Sequence, residues 1–136
     1  MEHSLDRTRR SMKHRGIAIV PCKLQNNVCL SLENGRIVGV DESRLLTEAE
    51  KNTVLIHEDG HFISKAFYKP FSVYQIKAQA EYRANKAAML KYIPYQELLG
   101  MMRRGVPLWD IAEHFCVTPE CIQKAYDFYK DLGYTF

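Results

Sequence analysis

Every strand-like stretch of this chain lies before residue 41, and from Thr47 onward the chain carries helix chemistry punctuated by proline. That division constrains the fold more than any other feature, because it allows only a small sheet and assigns most of the chain to helices. The run "IAIVPCKL", from Ile17, is β-branched and apolar and ends near Pro21, which has no amide hydrogen to give a ladder. In "VCLSLENGRIVGV", Asn34-Gly35 separates two short apolar segments. A type I′ hairpin turn needs positive φ at both central positions, and this pair of residues tolerates it. Three strands within the first 40 residues are therefore expected to make a small antiparallel sheet. A short polar helix over 2–14 precedes them, and its basic run Arg7, Arg9, Arg10, Lys13 and Arg15 could touch phosphate but reads better as a solvated face.

Helical punctuation is clearer. "TEAE", Thr47 to Glu50, fits a capping box, in which the threonine hydroxyl and the glutamate carboxylate satisfy amide donors at a helix start. The helix that follows is expected over about 48 to 66, with Pro70 as a breaker beyond it. A second helix from Tyr74 to Tyr92 stops before Pro94, and shorter ones are expected near 95–104, 107–115 and 119–131. Ala78, Ala80, Ala84, Ala87 and Ala88 would let the Tyr74–Tyr92 helix approach a neighbour closely, and Gly60 offers the preceding helix a matching contact point.

With 136 residues, 46% of them hydrophobic, the chain can bury one core, so a single domain over 1–136 is expected, with 95–136 as a packed helical subregion. Lys plus Arg exceed Asp plus Glu by only 19 to 16, which is far from the charge density of a dedicated nucleic-acid binder. No apolar signal-peptide core and no membrane-length apolar run are visible, so a cytoplasmic protein is expected. Cys22, Cys29, Cys116 and Cys121 form no Cys-x-x-Cys pair and read as buried free thiols.

The chemistry is concentrated in "VLIHEDGHF", residues 54 to 62. Helix positions four apart are offset by only about 40° of rotation, so His57 and His61 project from one face and can share a metal. Neutral imidazole is a good zinc ligand, while Glu58, one position along, would reach a water on the metal rather than the metal itself. A peptidase site of this kind needs a third protein ligand and an open fourth position. Glu81 on the second helix offers that ligand, and Asn85, one turn later on the same face, could accept a hydrogen bond from the remaining ring N–H of a ligating histidine.

These residues resemble the ImmA/IrrE group of zinc metallopeptidase-like proteins, especially its small phage and mobile-element members. The similarity rests on "EKNTVLIHEDGHF", on "AEYRANKAAMLKYIP" and, more loosely, on "DIAEHFCVTPECIQKAYDFYKDLGY". It implies an α+β, zincin-like domain: a small N-terminal antiparallel sheet, the HExxH helix, a Glu-bearing helix and a C-terminal helical subregion. It implies Zn2+ held by His57, His61 and Glu81, Glu58 as general base and Asn85 in support. It further implies a cytoplasmic endopeptidase that cleaves or inactivates a helix-turn-helix repressor of a mobile element. Asp59 departs from the family pattern, which has an apolar residue there, and a carboxylate facing inward at that position is costly unless paired. Tyr68, Tyr82 and His114 are available by residue type to stabilise an oxyanion, although packing or surface roles are expected of them. An exposed strand could align an extended substrate by β-addition.

A different class of function is suggested by "LWDIAEHFCVTPECIQKAYDFY", which also resembles a DNA-binding helix-turn-helix with Thr118 capping the second helix. That helix offers Glu120, Asp127 and Asp131 against Lys124 and Lys130, a poor set for phosphates and base edges. A helical hairpin packed on the core explains the same spacing. A metal-bearing regulator without proteolysis is the third alternative.

Overall fold

Thr47 starts the helix around which the molecule is built: its hydroxyl accepts from the Glu50 amide at 3.1 Å, and the helix runs Glu48–Ser64. The computed structural model describes residues 4–24, 28–32, 36–45, 47–68 and 72–136. In chain order the elements are α1 (Ser4–His14), β1 (Ala18–Pro21), β2 (Cys29–Leu32), β3 (Ile37–Val40), α2 (Glu48–Ser64), α3 (Tyr74–Tyr92), α4 (Tyr95–Arg103), α5 (Leu108–Phe115) and α6 (Pro119–Asp131). The architecture is α+β and mostly helical, and the helix boundaries fall within about two residues of those read from caps and prolines.

The sheet departs from the expected all-antiparallel arrangement. Its order is β1-β3-β2: β2 and β3 are antiparallel, with Cys29 opposite Val40, but β1 runs parallel to β3, with Ala18 opposite Ile37. Burial explains the insertion. β3 carries Val38 and Val40, 0% and 3% exposed, so it takes the centre, whereas β1 is largely exposed and ends in Pro21, as suits an edge. β1 ends and β2 begins beside Val40, where the Cys22 amide donates to the Val40 carbonyl and the Asp41 amide to the Val28 carbonyl, both at 2.9 Å. The expected Asn34-Gly35 turn lies outside the described residues; the segments it separates are antiparallel partners.

Two apolar clusters flank α2. Leu55 packs with Leu5 and Met12 of α1 and Val38 and Val40 of β3, while Ile56, one position along, packs with Met89, Ile93, Leu98, Phe115 and Ile122 of the C-terminal half. Adjacent residues on a helix are separated by about 100°, so a single helix can serve both. Against α3 the approach is close: a Cβ on Gly60 would stand 2.1 Å from the Ala84 carbonyl oxygen, and Ala80, Ala84 and Ala88 are all buried. The alanine face and Gly60 thus meet as the sequence suggested.

Asp59 is fully buried, and the structure supplies the pairing its position demands. The Arg15 guanidinium and the Tyr92 hydroxyl both engage its carboxylate, and the Lys91 ammonium lies 3.2 Å from Oδ2 while donating to Ser11 Oγ at 2.6 Å. One carboxylate therefore ties together the end of α1, α2 and α3. Arg15, expected on a solvated face, is drawn in by this charge; Arg9, by contrast, pairs at the surface with Asp6 and Glu42. The four cysteines are free, but only Cys121 is buried, Cys29 and Cys116 are half-buried and Cys22 is exposed.

The α5–α6 pair is fastened to α2 by its turn. Cys116 adopts φ 54 there without being glycine, and its carbonyl accepts from Asn52 Nδ2 at 2.8 Å. The Thr118 amide donates to Thr53 Oγ1 at 3.0 Å, and Thr8 Oγ1 donates to Asn52 Oδ1 at 2.7 Å, so Asn52 links α1, α2 and the turn. Among the described residues, no helix is long and apolar enough to cross a membrane.

Candidate metal centre

The close α2–α3 contact brings His57, His61 and Glu81 together. His57 Nε2 is 2.9 Å from Glu81 Oε2, His61 Nε2 is 3.3 Å from Glu81 Oε1, and one ligand atom from each of the three lies within 4.8 Å of the others. This group could hold a metal ion. Ligand atoms bound at zinc distances around a tetrahedral ion stand about 3.3 Å apart, so the observed spacing suits such a centre.

The opposite ring nitrogens both face acceptors. His61 Nδ1 faces the Ala66 carbonyl oxygen at 2.6 Å, and that partner can only accept, so Nδ1 is the donor. His57 Nδ1 likewise faces Asn85 Oδ1 at 2.9 Å, the supporting contact expected of Asn85. In the neutral rings both Nε2 lone pairs then point at the oxygens of Glu81. Three acceptor groups converge, and a cation between them would offset their mutual repulsion.

Local backbone places these partners. Lys65 ends α2 in the left-handed region, at φ 57, and this reversal carries Ala66 back under His61 and Tyr68 towards α3. The Tyr68 hydroxyl donates to Glu81 Oε1 at 2.9 Å. Burial, followed by that hydrogen bond and the charges of Glu81 and Glu58, pushes the Tyr68 phenol up from its ordinary value, which keeps it a neutral donor. Phe67 stacks on the His61 ring with centroids 5.9 Å apart.

Glu58 is half-buried and lines a groove of about 440 Å3 with His57, Glu81 and Asn85. Val28 and Cys29 at the start of β2, and Thr118 and Lys124 of the α6 region, form its other walls. Of the three side chains considered for an oxyanion, Tyr68 alone contacts the cluster. Tyr82 packs near Phe128, with ring centroids 6.3 Å apart, and His114 pairs with Glu97 at 3.0 Å. The Ala66 carbonyl and the α6 wall were not legible in the sequence, since a backbone acceptor has no residue signature and the α6 wall arises from distant packing.

No protein-family model, curated protein or solved structure matches this chain.

Proposed function

We propose that the protein is a zinc-dependent endopeptidase of the zincin type, in accord with the resemblance of its HExxH and Glu-bearing helices to ImmA/IrrE proteins. The observation that carries this reading is the convergence of His57, His61 and Glu81, each histidine with its other nitrogen already occupied by an acceptor. Two imidazoles and one carboxylate are a ligand set that zinc uses in hydrolytic sites, and three protein ligands leave a position for water. A zinc ion held there would acidify water and stabilise negative charge on a carbonyl oxygen.

The protein groups supply the rest. Glu58, on the groove beside His57, accepts a proton as the water oxygen attacks the peptide carbonyl, and returns it to the amide nitrogen as the C–N bond breaks. Asn85 and the Ala66 carbonyl hold the two rings in the tautomer that keeps Nε2 available. Tyr68 positions the Glu81 carboxylate through its hydroxyl. β2 is an edge strand that begins at the groove, so an extended substrate can add to it and lie across Glu58.

The implied substrate is a helix-turn-helix repressor encoded near the protein. Against the DNA-binding alternative stands the turn between α5 and α6, which is bound to α2 through Asn52 and Thr53, and the start of α6 faces the groove. The test is a pair of variants. His57→Ala should abolish a stoichiometric zinc content, and Glu58→Gln should keep the metal while ending cleavage of a co-expressed neighbouring repressor. Undiminished cleavage by Glu58→Gln would overturn the mechanism, and induction without cleavage would favour a non-proteolytic regulator.

A further inference from the structure

Behind the metal centre lies a larger cavity, of about 930 Å3, lined by Arg15, Arg36, Lys65 and Lys91 and by Phe62 and Phe67. None of the described residues lining it is acidic. Asp59 engages Arg15 and Lys91 but is itself fully buried, so four cations face this space against one carboxylate. The arrangement is braced before any ligand arrives: Asp59 holds Arg15 and Lys91, and Arg36 Nη1 donates to the Arg15 carbonyl at 2.6 Å. Burial first, and then the charges of Arg15 and Arg7, pull the Lys91 ammonium down to about 8.

Arginine forks match phosphate oxygens in pairs, and phenylalanine rings accept a planar apolar group. The space is in the range of roughly 300–1,000 Å3 typical of small-molecule sites and far exceeds what inorganic phosphate needs. Its wall is shared with the metal centre. Lys65 and Phe67 line the cavity, while the residues alternating with them, Ala66 and Tyr68, hold His61 and Glu81.

We propose that this cavity is an effector site for a small organic phosphate of nucleotide size, whose binding is read at the metal centre through residues 65–68. The second half of that statement rests on the metal-site reading above; the first does not. A ligand held against Lys65 and Phe67 restrains the segment that orients His61 and Glu81, so it strengthens metal binding.

The experiment is calorimetric titration of adenosine 5′-monophosphate into metal-free and zinc-loaded full-length protein at low salt. Saturable one-to-one binding is expected, with adenosine and inorganic phosphate each weaker by about tenfold or more. Arg36→Gln and Lys65→Gln should each weaken it on the order of tenfold, the effect of one charge-assisted hydrogen bond, with cooperative melting retained in both and Lys65→Gln, which leaves the Arg36 contact to the Arg15 carbonyl in place, melting as the parent does. Absence of saturable binding, indifference to both variants, or tighter binding of duplex DNA that the same variants abolish would overturn the site. Zinc affinity, read by chelator competition, should rise several-fold with the nucleotide, and nucleotide affinity should rise by the same factor with zinc. Equal zinc affinities would overturn the coupling. Failure to bind zinc at all would sink the metal reading, and the metal-free titration would still decide the cavity.

Discussion

Gly60→Ala tests whether the α2–α3 contact holds the site. On an open helix face this change stabilises, by about 1 kcal/mol, because alanine loses less backbone freedom than glycine. Here the added Cβ would stand 2.1 Å from the Ala84 carbonyl oxygen, 2.8 Å from its carbonyl carbon and 3.3 Å from its Cα. These are backbone atoms of a buried helix, so no side chain can swing aside; α3 must move by about 1 Å to reach ordinary contact. Overpacking of this size costs roughly 2–3 kcal/mol, which outweighs the propensity gain and leaves a net loss of about 1–2 kcal/mol. For a chain of this length that lowers Tm by about 3–7 °C. The same shift moves Glu81 relative to His57 and His61, now 2.9 and 3.3 Å from its oxygens, so metal affinity should fall with stability. Urea denaturation together with chelator competition on the purified variant measures both. A Gly60→Ala protein about 1 kcal/mol more stable than the parent, with unchanged metal affinity, would refute the close approach and the argument built on it.

Three further perturbations address separate contacts. Asp59→Ala leaves Arg15 and Lys91 facing inward without their carboxylate and should cost about 3 kcal/mol in urea denaturation; a loss under 1 kcal/mol would show that the pairing is dispensable. Asn85→Ala removes the acceptor that orients His57 and should weaken zinc binding about 10–100-fold with little change in Tm, while unchanged affinity would detach Asn85 from the site. Tyr129, fully buried with its hydroxyl donating to Ile93 O at 2.8 Å and Met89 O at 3.2 Å, has its phenol pushed up to about 12 by burial. Its unfolded form ionises first, near ~10, so it contributes stability that is present below that pH and lost as pH climbs towards the folded value. Tyr129→Phe should cost about 1 kcal/mol at neutral pH and flatten the decline in stability above pH ~10, and an unchanged alkaline slope would assign that decline elsewhere.

The helices were legible because their signals are local. Thr47 and Thr118 each accept from an amide three residues on, and Pro94 and Pro107 each precede a helix start, so boundaries could be read within a short window. The members of the candidate metal group were legible for the same reason: spacing of four placed His57 and His61 on one face, and Glu81 with Asn85 on another. The strand order was not legible. Apolar alternation says which face of β1 or β3 is buried but not which strand lies between the others, and that choice fell to the burial of Val38 and Val40 beneath α1 and α2.

Asp59 shows the division most clearly. The sequence by itself determined that a carboxylate would sit on the helix of His57 and His61, one residue from Gly60, and that burying it would require partners. Only the tertiary structure decided that those partners are Arg15, Lys91 and Tyr92, from the end of α1 and from α3. The structure likewise decided that the Ala66 carbonyl would hold His61 and that four cations would gather behind it. Caps, periods and ligand spacings act over a few residues and leave a trace in residue type. Charge pairing across helices, backbone acceptors and shared cavity walls depend on which distant surfaces meet, and that is settled when the two clusters close around α2.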